Sequence, residues 1–187
     1  MTKRTIAGWA AFAAFVGTVY AANWALETYE IIDLPLTGLT APAGVYFAGL
    51  AFGLRDVVHE TLGRRWVALA IILGASLSYV ISDGAEIPGG HVTIAVASGI
   101  AFLLSELADL AVYDPLRARR WWAAVIASNA VGAVVDSALF LWLAFGSLNF
   151  IEGQIVGKIA MILPVLPLVW LARRYLLPGD ERPGEAQ

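Results

Sequence analysis

The chain has 187 residues, 59% of them hydrophobic and 14% charged, with a formal net charge of −3 and a mean hydropathy of +0.74. Soluble domains carry about 45–50% apolar and about 25% charged residues, so too little polar surface remains to cover a soluble globule; the composition is that of a membrane protein. With no cysteine and only His59 and His91, disulfides, thiol chemistry and histidine-rich metal sites are excluded, no cofactor is expected, and no basic face offers itself to nucleic acid.

A helix needs about 20 apolar residues to cross roughly 30 Å of hydrocarbon. In chain order, residues 6–26, 43–62, 66–82, 92–113, 121–145 and 153–176 qualify. The expected fold is an all-α integral membrane protein with six transmembrane helices. Residues 1–177 would form a single domain and 178–187 a polar, disordered cytoplasmic tail. The first span is longer than the apolar core of about 7–15 residues in a cleaved signal peptide, so it is expected to be retained.

Loop charge sets the orientation, because Lys and Arg gather on the cytoplasmic side. Lys3 and Arg4 precede the first span, Arg64 and Arg65 follow the second, Arg117, Arg119 and Arg120 follow the fourth, and Arg173, Arg174 and Arg182 follow the sixth. The alternate loops hold Glu27, Glu30, Asp33, Asp83, Glu86 and Glu152 and no Lys or Arg. Both termini are therefore expected in the cytoplasm. Trp9, Trp24, Trp66, Trp121, Trp122, Trp142 and Trp170 all fall near span ends, where indole rings settle at headgroup level.

Two segments resemble each other: Gly49-Leu50-Ala51-Phe52-Gly53-Leu54 and Gly99-Ile100-Ala101-Phe102-Leu103-Leu104. Each is followed by an acid (Asp56, Glu106) and leads into Arg-Arg-Trp. A parallel structural repeat produces such a pattern; so does coincidence in a small apolar alphabet.

An ionisable group at mid-membrane costs at least about 2.5–3.5 kcal/mol and normally faces the bundle interior. The second span contains Arg55, Asp56, His59 and Glu60; the fourth Ser105, Glu106 and Asp109; the fifth Ser128, Asn129 and Asp136; the sixth Gln154 and Lys158. At about 1.5 Å per residue, Arg55, Glu106 and Asp109 fall in the inner half and Asp136 in the outer half. Lys158 is then the natural salt-bridge partner of Asp136, with Asn129 between the layers. Such a column suits a permeating polar solute. Plainer alternatives are headgroup contacts for His59, Glu60 and Asp109, and structural pairs for Arg55–Asp56 and Asp136–Lys158. No Walker loop, zincin helix or nucleophile elbow is present, so neither ATP hydrolysis nor hydrolase chemistry is expected.

Asp56, Glu60 and Gly63; Glu106, Asp109, Arg117, Arg119, Arg120, Trp121 and Trp122; Ala127, Ser128, Gly132, Asp136 and Phe140; and Lys158 with Pro164 follow one another in an order and spacing that resembles the VUT (vitamin uptake transporter-like) family. That family is also called the queuosine precursor transporter family, and the resemblance covers residues 40–172. It implies import of 7-deazaguanine precursors of the tRNA base queuosine through the bacterial cytoplasmic (inner) membrane, by a stand-alone multi-pass carrier that is not an enzyme. Arg55, Asp56, Glu106, Asp109, Asn129, Asp136 and Lys158 are the candidate substrate-binding residues. A carboxylate, Glu106 or Asp109, would accept from the amidine-like edge of the ring; Asn129, Lys158 or Arg55 would address its carbonyl; Phe52, Phe102 or Phe140 would stack on its face. Asp136–Lys158 would gate or couple. In this family the position of Arg55 often holds a small polar residue and that of Glu106 a Gln. The two added charges imply either a pair between the second and fourth helices or a different ligand. The candidate partners are a second copy of the chain or an ATPase module docked on the first helix through Ala7–Ala11, Ala10–Ala14 and Gly17–Ala21. A substrate-capture subunit, and a non-transporting adaptor or enzyme, are the alternative functions.

Overall fold

The computed structural model describes residues 2–81, 93–117 and 121–176. Each apolar stretch is a helix: α1 Lys3–Tyr29, α2 Val45–Thr61, α3 Arg64–Ile81, α4 Ile94–Arg117, α5 Trp121–Phe145 and α6 Ile151–Leu176. Among the described residues, three segments are long and apolar enough to cross a membrane: α1, Ile94–Tyr113 of α4 and Ala123–Phe145 of α5. The α2 helix is 17 residues long and carries Arg55, Asp56 and Glu60 within it. Asp83, Glu86, His91, Arg119, Arg120 and the tail 178–187 lie outside the described residues.

Neighbouring helices form a closed circuit, α1–α2–α6–α5–α4–α3 and back to α1. Inside it Phe15, Phe52, Val58, Val67, Ile71 and Phe102 build the main apolar core. Large apolar side chains such as Val80, Leu107 and Leu163 face outward, 71%, 63% and 59% exposed, a surface that suits lipid rather than water. Trp9, Trp24 and Trp142 also point outward. On α1, Gly8 and Ala11 are buried, whereas Ala10, Ala14 and Gly17 lie on its exposed face.

The two ends of the bundle are closed differently. At the end holding the start of α1, Arg4 donates to the Glu60 carbonyl at 3.1 Å, and Trp9 meets the Trp66 ring edge-on at 4.7 Å. Gly63, at φ 96°, makes the tight α2–α3 turn that a side chain would strain. At the opposite end stands an element absent from the sequence-based expectation, a hairpin of β1 (Ile31–Asp33) and β2 (Thr40–Pro42). Its antiparallel register pairs Ile31 with Pro42, Ile32 with Ala41 and Asp33 with Thr40. Buried Leu34, Ala41 and Val45 seat it on the bundle. Gly153 of α6 lies so close to the Thr40 carbonyl that any Cβ there would collide with it.

Candidate functional site

Helical periodicity sets one stripe from each of α2, α4 and α5 facing inward. Residues three, four or seven apart lie on one side of a helix, which aligns Gly49, Phe52 and Asp56 on α2, Ser98, Phe102, Glu106 and Asp109 on α4, and Asn129, Gly132, Asp136 and Phe140 on α5. Their side chains meet in three layers.

The layer nearest the start of α1 is centred on Arg55, which is 1% exposed. Its Nη1 donates to Glu106 Oε2 at 2.8 Å. Its Nη2 donates to Asp56 Oδ1 at 2.6 Å, Asp109 Oδ1 at 3.2 Å and Asn129 Oδ1 at 3.4 Å, while Nε donates to Asp56 Oδ1 at 2.9 Å. Asn129 Nδ2 returns a bond to Asp56 Oδ2 at 3.1 Å. Three helices are thus tied through one planar fork, a geometry that lysine's point charge does not reproduce. The pairing of Arg55 with Glu106 joins α2 to α4, as the two added charges suggested. Asn129, expected between the layers, instead belongs to this cluster. The α5 helix passes close enough at Gly132 to bring the amide within reach of Arg55.

The middle layer is aromatic. Phe52 stacks on Phe102 with centroids 4.9 Å apart and planes at 29°. Phe15 packs on Phe102 at 5.5 Å. The Arg55 guanidinium carbon sits 5.3 Å from the Phe52 ring centre, an attractive cation–π placement. A Cβ on Gly132 would stand 3.2 Å from the Phe52 ring. The two similar segments of the sequence meet here: Phe52 and Phe102 stack, and Asp56 and Glu106, each four residues further on, bind the same arginine.

The layer nearest the hairpin holds Lys158, also 1% exposed, which donates to Asp136 Oδ2 at 2.6 Å and to Ser137 Oγ at 2.8 Å. Gly49 makes room for it: a Cβ there would come 2.9 Å from the Lys158 Cα. Ser137 escaped the sequence reading because a hydroxyl in an apolar helix ordinarily bonds back to its own backbone, as Ser137 also does to the Ala133 carbonyl at 2.6 Å.

Two cavities flank the aromatic layer and share no lining residue. The one below the hairpin is lined by Asp136, Lys158, Asn23, Gln154, Phe102 and Phe140, with Pro42 of the hairpin among its other walls. The second is lined by Asp56, Asp109, Asn129, His59, Glu60, Tyr113, Val125 and Ser128. Arg55 and Glu106 line neither. The seven candidate residues therefore divide into Asp136 and Lys158 on one cavity, Asp56, Asp109 and Asn129 on the other, and an Arg55–Glu106 tie buried between. Among the described residues no group of three or more His, Asp or Glu is placed to hold a metal.

Asn23 is a lining residue that the sequence reading passed over. An amide in an otherwise apolar helix was the available signal, the same one that marked Asn129.

The sequence has recognisable relatives among known proteins. The family model described as "Putative vitamin uptake transporter" matches residues 83–172. The "Queuosine precursor transporter" of Escherichia coli (strain K12) is 35% identical over 134 residues, covering 62% of this chain and 61% of that protein. The "Probable queuosine precursor transporter" of Bacillus subtilis (strain 168) is 29% identical over 206 residues, covering 93% of this chain and 85% of that protein. The chain thus spans about three fifths of the length of the Escherichia coli relative and most of the Bacillus subtilis one. No solved structure matches. The charged stripes on α4 and α5 lie inside the matched region, and over residues 83–172 the chain is similar to the vitamin uptake transporter family.

Proposed function

We propose that this protein imports a queuosine precursor, a 7-deazaguanine, as a stand-alone secondary carrier of the cytoplasmic membrane. All six helices span the bilayer, both termini are cytoplasmic, and the hairpin end faces outward. The orientation is supported by Lys3, Arg4, Arg64 and Arg65 at the opposite end, where the positive-inside rule puts the cytoplasm. The observation that carries the function is the buried polar column in a chain otherwise apolar, interrupted by an aromatic pair with a cavity on each side. Two cations and three carboxylates are buried in it, paired as burial requires, and ionisable groups kept inside the spans of a membrane protein mark solute pathways.

In this reading the solute enters on the hairpin side beside Asp136 and Lys158. It passes the Phe52–Phe102 layer, where a flat ring stacks, and leaves past Asp56, Asp109 and Asn129. The Arg55–Glu106 tie holds α2 and α4 in register while the layer opens. The names of the relatives supply the substrate class.

The test is complementation. Bacteria unable to make or import queuosine precursors would express this chain alone and receive nanomolar precursor, with queuosine in tRNA as the readout. Restoration by the wild type and its loss in Asp136→Asn, at equal membrane abundance, is the expected result. No restoration despite membrane expression would overturn the stand-alone reading.

A further inference from the structure

Asn23 and Gln154 are each 2% exposed, and each retains a buried amide atom without a hydrogen-bond partner: Nδ2 of Asn23, a donor, and Oε1 of Gln154, an acceptor. Both line the cavity below the hairpin. A buried amide group left unpaired costs about 1–3 kcal/mol, so two of them on one cavity mark a place where something else completes the bonding.

The neighbours restrict what that is. Asp136 and Lys158 on the same wall are paired with each other, which makes the local charge close to neutral and gives an ionised ligand no unanswered counter-charge. Phe102, Phe140 and Leu26 supply apolar walls. An unpaired donor and an unpaired acceptor between flat apolar sides, beside a balanced ion pair, match the hydrogen-bonding edge of an uncharged planar heterocycle carrying an N–H beside a carbonyl.

We infer that Asn23 and Gln154 are direct ligand contacts that determine specificity, Asn23 donating to the ring carbonyl and Gln154 accepting from a ring N–H, in an outward recognition site formed with Asp136 and Lys158. This rests on the transport reading and deepens it. Recognition is assigned to the α1 and α6 amides, whereas the Arg55 cluster, whose three nitrogens all donate to protein groups, does not make the first contact.

The experiment measures 7-deazaguanine uptake into proteoliposomes containing the purified full-length chain, for the wild type, Asn23→Leu and Gln154→Leu, with thermal unfolding as a folding control. Losing one ligand hydrogen bond raises KM about tenfold in each variant while the maximal rate stays within about twofold. Unchanged KM in both variants overturns the assignment, because water then satisfies the amides, and leaves the transport function standing. A wild type that takes up no 7-deazaguanine refutes the substrate class instead. The site is then tested by thermal-shift binding of hypoxanthine, pterin and uracil. Binding lost in both variants upholds it, and absence of binding, or binding indifferent to both, overturns it.

Discussion

Around Arg55 one guanidinium meets three carboxylates and an amide, and all three of its nitrogens donate to protein groups. Around Lys158 one ammonium meets one carboxylate and one hydroxyl, and two amides beside it keep unpaired atoms. The first layer spans three helices and its central residue lines neither cavity; the second joins α5 to α6 at the wall of one. Removing the centre of the first strands three acids together, whereas the second is balanced one for one and leaves hydrogen-bonding capacity for a solute. In the proposed reading buried charge serves two ends in one column, cross-helix registration around Arg55 and solute contact near the hairpin.

The largest effect is expected from taking away the guanidinium. Arg55→Met should destabilise the protein by about 3–5 kcal/mol, the cost of leaving buried ions uncompensated. The expected outcome is little folded protein in detergent, scored by size-exclusion profile and melting temperature. Retained folding would show that the cluster does not hold the helices.

The aromatic layer separates the two plans. Phe52→Ala removes a fully buried ring and its stack, a change that costs about 3–5 kcal/mol in close-packed cores. Where the protein still inserts, the two cavities should join, and a small hydrophilic dye trapped in liposomes should leak faster than with the wild type. Unchanged leakage together with unchanged uptake would sink the role given to that layer.

The smallest effect is expected at Glu106, where one carboxylate oxygen binds Arg55 and the other, buried, has no partner. Glu106→Gln keeps an acceptor for the guanidinium and removes one of three negative charges around it. Its unfolding free energy should change by no more than about 1 kcal/mol, the scale of a single hydrogen bond. A loss as large as that of Arg55→Met would mean that the charge itself holds α4 to α2.

Much of this arrangement is legible one helix at a time. The six stretches are visible because apolar runs of span length are a local property. The stripes of Phe102, Glu106 and Asp109, or of Asn129, Gly132 and Asp136, follow from 3.6 residues per turn. The pairing of Asp136 with Lys158 was readable too, since both fall at similar depth in adjoining spans. The hairpin was not. Its strands are three residues each, with Pro35 and Gly38 between them, and they persist because α6 presents Gly153 to the Thr40 carbonyl.

Composition and rise per residue were enough to mark which residues are helical, which polar groups are misplaced in an apolar chain, and that Asp136 and Lys158 share one height while Arg55 and Glu106 share another. Only the tertiary structure decided that Asn129 joins Arg55, that Phe52 and Phe102 divide the column, and that Asn23 of α1 shares a cavity with Gln154 of α6. Those facts depend on how helices distant in sequence are rotated and spaced, which is set by close contacts at Gly49 and Gly132 and not by any local pattern.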